Sequence, residues 1–330
     1  MRYVLTFCSV YGKILAVSKN MFLNLTGGVT MKKIGCGILC IILVIAVVVG
    51  VMLTPELRTK IIKSDGHGLS EAQEVKLELV YTGQKPSGVG SVQSFTITDD
   101  YFVIAGRPSG GAEEGGETNN QLILITRDGL TDVTANHIPA GKTYELGHAN
   151  GMTYNPDKQE IVVVGKRNDE GKQELAVIIG ARSFEVLKTV KMPCYGSGIA
   201  YNNKFNYYMV RSGKTLYRIT DVPGIKKETF ETNAEFSVQD IGYYGGYTYL
   251  CNWVSDATTD LAVQLGLKQH QNMIYKVDAR GIIVKTFVIK EPLLELESID
   301  FADGNAYVLM NGVGDQSANF FIYRVTGDLK

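Results

Sequence analysis

Polar and acidic residues recur along this 330-residue sequence, each time just before a short run of alternating apolar residues. Asp240 and Glu297 are the two carboxylates among them, and His148 is the one histidine. Two carboxyl groups across a glycosidic bond can hydrolyse it, one as a protonated acid and the other as a base or nucleophile. A metal site needs more ligands than this single histidine supplies, so the sequence predicts no metal site and no cofactor.

Whether these residues meet depends on the elements that carry them. From Val75 onward, β-branched and aromatic runs alternate with Gly, Asn and Asp turns, a pattern typical of an all-β domain. A unit made of a polar pair, an alternating strand, a turn and a more apolar strand occurs five times. Its copies align on Phe95, Met152, Ile199, Ile241 and Ile299, with spacings of 57, 47, 42 and 58 residues. Insertions at 108–119 and 255–270 lengthen the first and last spacings.

The spacing of the repeats predicts a β-propeller, because four-stranded blades take about 40 to 50 residues each. We predict five blades, with six as the alternative. The fifth copy stops at residues 323–325 without a fourth strand, while residues 75–81 form an extra strand ahead of the first copy. That strand can complete the last blade and close the ring, which removes an exposed sheet edge.

One blade carries a recognisable motif. Residues 152–156 (Met-Thr-Tyr-Asn-Pro) precede the apolar strand 160–164, and together they resemble the blade signature of bacterial extracytoplasmic propellers of the YVTN, NHL and TolB-like kind. The resemblance covers residues 75–330 as architecture. It implies a binding platform or scaffold or, less often, a hydrolase or lyase. The motif itself marks a turn, and the fold assigns no function.

A propeller places the beginnings of its first strands at one mouth of the central channel. The predicted ring of polar side chains there consists of Gln93, Ser94, His148, Asn150, Tyr195, Ser197, Gln239, Asp240, Glu297 and Ser298. Of these, the predicted ligand-binding face comprises Gln93, His148, Asn150, Tyr195, Gln239, Asp240 and Glu297. Two interpretations stay open. Asp240 and Glu297, with His148, could carry glycosidase or lyase chemistry, or the ring could hold water and tie the blades together by hydrogen bonds.

The segment 34–53 is apolar and carries no charge over twenty residues. A helix of this length spans roughly 30 Å, the hydrocarbon thickness of a bilayer. Residues 1–33 hold five basic and no acidic side chains, which predicts that this end is cytoplasmic. We therefore expect an uncleaved signal anchor at 34–53, a stalk at 54–74 and the propeller domain at 75–330 outside the cytoplasm. Residues 1–33 are either a cytoplasmic tail or an upstream extension, with translation starting at Met31.

Beyond residue 33 the chain has 28 basic and 34 acidic side chains, a net charge of −6 without a basic run. This balance excludes nucleic acid as a predicted partner. Cys194 and Cys251 are the two cysteines of this part, and such scattered residues are more often free thiols than a disulfide. The sequence thus predicts a single-pass protein of the cell membrane that binds or scaffolds an envelope protein or glycan. A glycoside hydrolase or lyase is the alternative.

Overall fold

Twenty-one β-strands, one short α-helix and one 3-10 turn make up the secondary structure that the computed structural model describes. The described residues are 72–109, 119–167, 174–220, 226–231, 238–254, 271–291, 294–327 and 329; only the backbone is described at 226–231, 238, 254 and 271. All of them belong to one unit, Gly68–Lys330. The predicted membrane span at 34–53 lies outside the described residues. Within the described ranges, no helix is both long enough and apolar enough to cross a bilayer.

The strands form five sheets, the blades of a β-propeller. The first three blades each take four consecutive strands, ordered from the axis outward. Blade one contains β3 (Val89–Ile97), β4 (Tyr101–Pro108), β5 (Asn119–Thr126) and β6 (Tyr144–Glu145). Blade two contains β7 (Gly151–Asn155), β8 (Glu160–Arg167), β9 (Glu174–Gly180) and β10 (Val186–Lys191). Blade three contains β11 (Gly198–Asn202), β12 (Tyr207–Ser212), β13 (Thr215–Ile219) and β14 (Lys226–Glu231).

The last two blades use strands from both ends of the described chain. Blade four contains β15 (Val238–Tyr244), β16 (Tyr247–Val254), β17 (Gln271–Val277) and β18 (Ile283–Ile289), and β1 (Gln73–Glu74) adds a parallel fifth strand beside β18. Blade five contains β19 (Leu294–Ala302), β20 (Asn305–Gly312), β21 (Asn319–Thr326) and β2 (Lys76–Gln84). The helix α1 (Thr134–His137) lies between β5 and β6, and the 3-10 turn η1 (Gly314–Gln316) lies between β20 and β21.

The five-bladed ring and its closure are confirmed. Strand β2 pairs antiparallel with β21 from Lys76 opposite Thr326 to Gln84 opposite Asn319, so the N-terminal strand completes the last blade. The fourth strand of blade one is shorter than expected, because most residues between β5 and β6 form a turn and α1. The described chain closes its ring without leaving β21 as a free edge.

Apolar side chains on facing sheets hold neighbouring blades together. The described residues form five buried clusters, and each lies between two adjacent blades. Between blades one and five, for example, Phe95 and Ile104 pack with Leu309 and Phe320, all at most 1% exposed. Because both faces of each blade are buried, strands such as Ile161–Val164 are apolar at consecutive positions.

The first strand of each blade lies next to the axis, and β3, β7, β11, β15 and β19 contact one another in that circular order. Each then turns back through a tight hairpin. Blade four uses Gly245 and Gly246, with φ of 60° and 91°, and blade five uses Asp303 and Gly304, with φ of 50° and 73°. Two-residue hairpins of type I′ require positive φ at both central positions, which Gly and Asp tolerate. The five hairpins therefore gather at one end of the axis, called here the hairpin face.

Candidate functional site

The predicted ring lies at the opposite end of the axis from the hairpin face, where the first strands begin. Two layers are distinguishable by position in the repeat. The outer layer contains Gln93, Asn150, Ser197, Gln239 and Glu297, and the inner layer contains Ser94, Gly151, Gly198, Asp240 and Ser298. Strands β3, β15 and β19 each have an irregular register at this point, which displaces Gln93, Gln239 and Glu297 from regular pairing.

Asp240 is completely buried at the axis. One carboxyl oxygen accepts hydrogen bonds from the backbone N–H groups of Ile199 at 3.2 Å and Ile241 at 2.7 Å. The other lies 2.5 Å from the Ser298 hydroxyl. Burial raises the pKa of Asp240 well above its ordinary value, and these hydrogen bonds oppose that shift. Asp240 thus joins blades three, four and five.

Hydrogen bonds of this kind cross each of the five blade junctions near the axis. Ser94 donates to the Ala149 carbonyl at 2.7 Å, and the hydroxyl of Thr153 accepts from the Tyr201 N–H at 2.9 Å. Asp240 spans the junctions of blades three and four and of blades four and five. Asp300 accepts from the Thr96 hydroxyl at 2.8 Å and so links blades five and one. This arrangement favours the interpretation that polar groups of the first strands tie the blades together.

Glu297 lies in the outer layer and is only 2% exposed. Its pKa is raised well above normal, first by burial and then by the nearby Glu295, while Lys85 lowers it. Glu295 accepts a 2.7 Å hydrogen bond from the Gln239 side chain, and Lys85 donates to the Gly90 carbonyl at 3.0 Å. Glu297 in the outer layer and Asp240 in the inner layer thus lie at the same end of the central channel.

Gln93 lies in blade one and donates to the Ser91 hydroxyl at 2.9 Å, and the predicted residues His148, Asn150 and Tyr195 lie around blades two and three. The Asn150 amide donates to the Tyr195 hydroxyl at 2.8 Å, and the Arg167 guanidinium lies 4.4 Å from the centre of the Tyr195 ring. The His148 backbone N–H bonds the Gly165 carbonyl at 3.0 Å, and its side chain is half-buried. Asn150, Tyr195 and Arg167 therefore form one group at this mouth, and Gln239 and Glu295 form another.

A cavity of about 640 Å³ opens on the hairpin face, at the other ends of the same first strands. We call it the cup, and all five blades line it. Its wall is rich in aromatic rings, which come from Tyr154, Tyr201, Phe205, Tyr243, Tyr244 and Phe301. A volume in this range suits a small organic ligand, and aromatic walls with a few polar groups are typical of such sites.

The tyrosines of the cup are held by polar partners. The Tyr154 hydroxyl donates to Asp99 at 2.9 Å, and the Tyr201 hydroxyl lies 2.8 Å from Asp157. Burial is the first cause that raises the pKa of Tyr154 to about 12, with the Asp99 hydrogen bond second. Burial likewise raises the pKa of Tyr243 to about 12. The Tyr154 and Tyr243 phenols are therefore neutral near pH 7.

Asp300 lies in the wall of the cup and is partly accessible there. Its carboxyl accepts from the N–H groups of Ile97 at 2.9 Å and Phe301 at 2.8 Å, in addition to Thr96. Desolvation outweighs these bonds and raises its pKa to about 6. At the rim, Asp303 pairs with Arg127. The acids of the cup are thus occupied by donors from the protein itself.

The cup was not among the predicted sites, although the repeat alignment contains a signal for it. Two residues after each aligned apolar position, four of the five copies carry an aromatic residue: Tyr154, Tyr201, Tyr243 and Phe301. The fifth copy has Ile97 there. Because the aligned strands surround one axis, an aromatic residue at a fixed repeat position predicts an aromatic ring around that axis.

Metal and disulfide chemistry are not visible in the described ranges. No group of three or more His, Cys, Asp or Glu side chains there is arranged to hold a metal ion. Cys194 and Cys251 are not joined by a disulfide, and Cys251 is completely buried. Burial raises the pKa of the Cys251 thiol well above normal, which makes it unreactive.

Neither a protein-family model nor a curated protein sequence matches this chain. Among solved structures, the glutaminyl cyclase of Myxococcus xanthus is similar to it with a TM-score of 0.50 and 12% identity, covering 77% of this chain and 98% of that chain. The WD40 domain of Neurospora crassa Pan2 has a TM-score of 0.39 and 12% identity, covering 79% and 99%. A luciferin-regenerating enzyme has a TM-score of 0.41 and 13% identity, covering 76% and 96%. At this identity the cyclase likeness concerns the fold, and with the strand pairing it defines the chain as a β-propeller protein.

Proposed function

We propose that this protein is a membrane-anchored binding module that holds a glycan in the cup of its propeller. The observation that carries the proposal is the cup itself, an axial cavity of about 640 Å³ with aromatic rings from four blades. Rigid, amphipathic aromatic rings provide large contact areas for the apolar faces of sugar rings, while neighbouring polar groups orient hydroxyls.

The state of the acidic groups supports binding over catalysis. A glycosidase needs two carboxyl groups that reach the scissile bond. Asp240 is 0% exposed and hydrogen-bonded to groups of three blades, and Asp300 accepts three hydrogen bonds from the protein. The alternative, a glycoside hydrolase or lyase using Asp240, Glu297 and His148, stays a prediction that the same assays address.

The anchor is the second part of the proposal. An uncharged segment at 34–53 follows a basic flank, which supports insertion with the propeller outside the cytoplasm. The proposed organisation is a tail or extension at 1–33, the anchor at 34–53, a stalk at 54–74 and the propeller at 75–330. A protein of this kind presents its cup to glycans of the cell envelope, as the resemblance to extracytoplasmic propellers also suggests.

The binding proposal is tested with the full chain in detergent micelles, by calorimetric titration with a panel of neutral and acidic oligosaccharides. Tyr244 lines the cup and stacks on Phe301 at 5.1 Å. We expect Tyr244→Ala to weaken binding about tenfold or more, because it removes a contact face of the cavity.

The matched control is Tyr323→Ala, because Tyr323 is also partly buried and stacked on a phenylalanine, Phe321 at 6.1 Å, but does not line the cup. It should leave the affinity unchanged. Absence of binding by every sugar would refute the proposal. Cleavage of any sugar that Asp240→Asn or Glu297→Gln abolishes would favour the hydrolase instead.

A further inference from the structure

A second cavity of about 250 Å³ adjoins the cup on blade five. We call it the side pocket. It is lined by the start of β20 at Asn305 and Ala306 and by the end of β21 at Arg324 and Thr326. Phe301 and Gly304 line both cavities, so one hairpin separates them.

The dividing wall is thin and well supported. Its turn consists of Asp303 and Gly304, both with positive φ, which keeps the hairpin to two residues. The Phe301 ring is stacked by Tyr244 at an interplanar angle of 13° and contacts the Tyr249 ring with centroids 4.8 Å apart. A ligand that extends across this hairpin contacts the Phe301 ring, which its aromatic neighbours hold in place, and passes over Gly304, which has no side chain. We call this ring the Phe301 ridge.

The two arginines that line these cavities, Arg127 and Arg324, are each paired with a carboxylate of the protein. In the side pocket, Arg324 donates twice to one carboxylate oxygen of Glu78, at 2.6 and 3.2 Å. At the ridge, Arg127 pairs with Asp303. At the far rim, Lys204 lies over the Phe205 ring, 5.2 Å from its centre. A ligand with a full charge would compete with these pairs, whereas a neutral polyhydroxyl compound hydrogen-bonds to them as they stand.

We propose that the cup and the side pocket bind successive units of one neutral oligosaccharide, with a terminal sugar in the cup and the next unit across the Phe301 ridge beside Arg324. This inference rests on the proposed glycan-binding function and specifies its ligand as an uncharged chain of two or more units. The Arg324 guanidinium keeps donors beyond those bonded to Glu78, and these reach the second unit.

The test is a calorimetric titration of the full chain in detergent micelles with four neutral series: chito-, cello-, malto- and xylo-oligosaccharides of one to four units. For the series that binds, we expect the disaccharide to bind about tenfold more tightly than the monosaccharide, with smaller gains beyond it. Arg324→Ala should remove about three- to tenfold of that gain and leave the monosaccharide affinity unchanged.

The matched control is Arg280→Ala, because Arg280 also donates twice to one carboxylate oxygen, that of Asp278, but lines neither cavity. It should change neither affinity. Equal affinities of monosaccharide and disaccharide would overturn the two-part site while leaving the glycan-binding function in place. Tighter binding of an acidic oligosaccharide, titrated beside the neutral series, would overturn the neutral specificity. Binding of no sugar at all would overturn both proposals.

Discussion

Asp240 and Asp300 both lie near the axis, but their carboxyl groups have different hydrogen-bond partners. One Asp240 oxygen accepts two backbone N–H bonds, and the other faces the Ser298 hydroxyl, which also lies 3.4 Å from the Phe95 carbonyl. A protonated Asp240 can therefore donate to Ser298, which then donates to Phe95. Asp300 has backbone N–H donors at both oxygens, so it has no such path on either side.

The first prediction concerns Asp240→Asn. An amide can accept both N–H bonds with its oxygen and donate to Ser298 with its nitrogen, so we expect a melting temperature near that of the unmodified protein. Asp240→Ala leaves buried donors without acceptors and should cost about 1–3 kcal/mol for each. Differential scanning calorimetry of both variants measures this. Equal losses in the two variants would show that the native carboxyl is ionised.

The unmodified protein and the Asp240→Asn variant should also differ in how their stability depends on pH. Burial raises the pKa of folded Asp240 above the unfolded value of 3.8, so the folded state keeps a proton that the unfolded state releases. The free energy of unfolding contributed by this group is greatest below that value and falls as pH rises toward the folded pKa, by up to about 1.4 kcal/mol per pH unit. Asp240→Asn has no such loss. As pH rises from 4 to 8, the melting temperature of this variant should therefore increase relative to that of the unmodified protein.

At the scale of elements, the ring closes tightly because glycine occupies two of the five inner-layer positions. A Cβ added to Gly151 on β7 would lie 2.6 Å from the Gly198 Cα on β11 and 2.7 Å from an Asp240 carboxyl oxygen. Neither Gly151 nor Gly198 has positive φ, so glycine is required here for close approach rather than for backbone conformation. The space released by these glycines holds the Asp240 side chain.

The prediction at this scale is that Gly151→Ala lowers the free energy of unfolding by about 1–3 kcal/mol, because the backbone of a neighbouring blade cannot yield to the new methyl group. The control is Gly129→Ala, where the nearest atoms to an added Cβ are hydroxyl oxygens at 3.5 Å. Gly129→Ala should be neutral within about 0.5 kcal/mol. Denaturant unfolding of both variants compares them, and equal stabilities would contradict the close-packed axis.

At the scale of the whole molecule, the chain enters the ring at one place. The strand β1 runs beside β18 of blade four, with Lys290 and Glu74 paired at 2.5 Å, and β2 then completes blade five. The described N-terminal strands thus bind two neighbouring blades.

The prediction for the whole molecule concerns the proposed anchor. Expressed in a bacterial host, the full chain should stay with the membrane fraction after alkaline carbonate washing, whereas deletion of 34–53 should release it. Deletion of 1–30 serves as the control and should keep it in the membrane. Protease added outside the inner membrane should digest the propeller. If the variant that lacks residues 34–53 stayed in the washed membranes, the proposed anchor would be contradicted.

Much of the fold could be predicted from local features of the sequence. The five repeat copies, the turn residues such as Gly245 and Gly246, and the extra strand near Val75 indicated the blades and their closure, because strand alternation and hairpin chemistry depend on neighbouring residues. The polar positions at the beginnings of the first strands followed from the same alignment. Their locations could be predicted, whereas their partners could not.

The sequence by itself indicated a closed β-propeller ring of five blades, with six as the alternative, and polar groups at the beginnings of the first strands. Only the tertiary structure decided that Asp240 is buried among three blades and that the aromatic cup opens on the hairpin face. The physical reason is that both depend on side chains meeting across an axis from strands far apart in the chain: Ser298 lies 58 residues from Asp240, and Thr96 lies 204 residues from Asp300. Spacing locates such residues in a blade, but packing around the axis decides which of them touch.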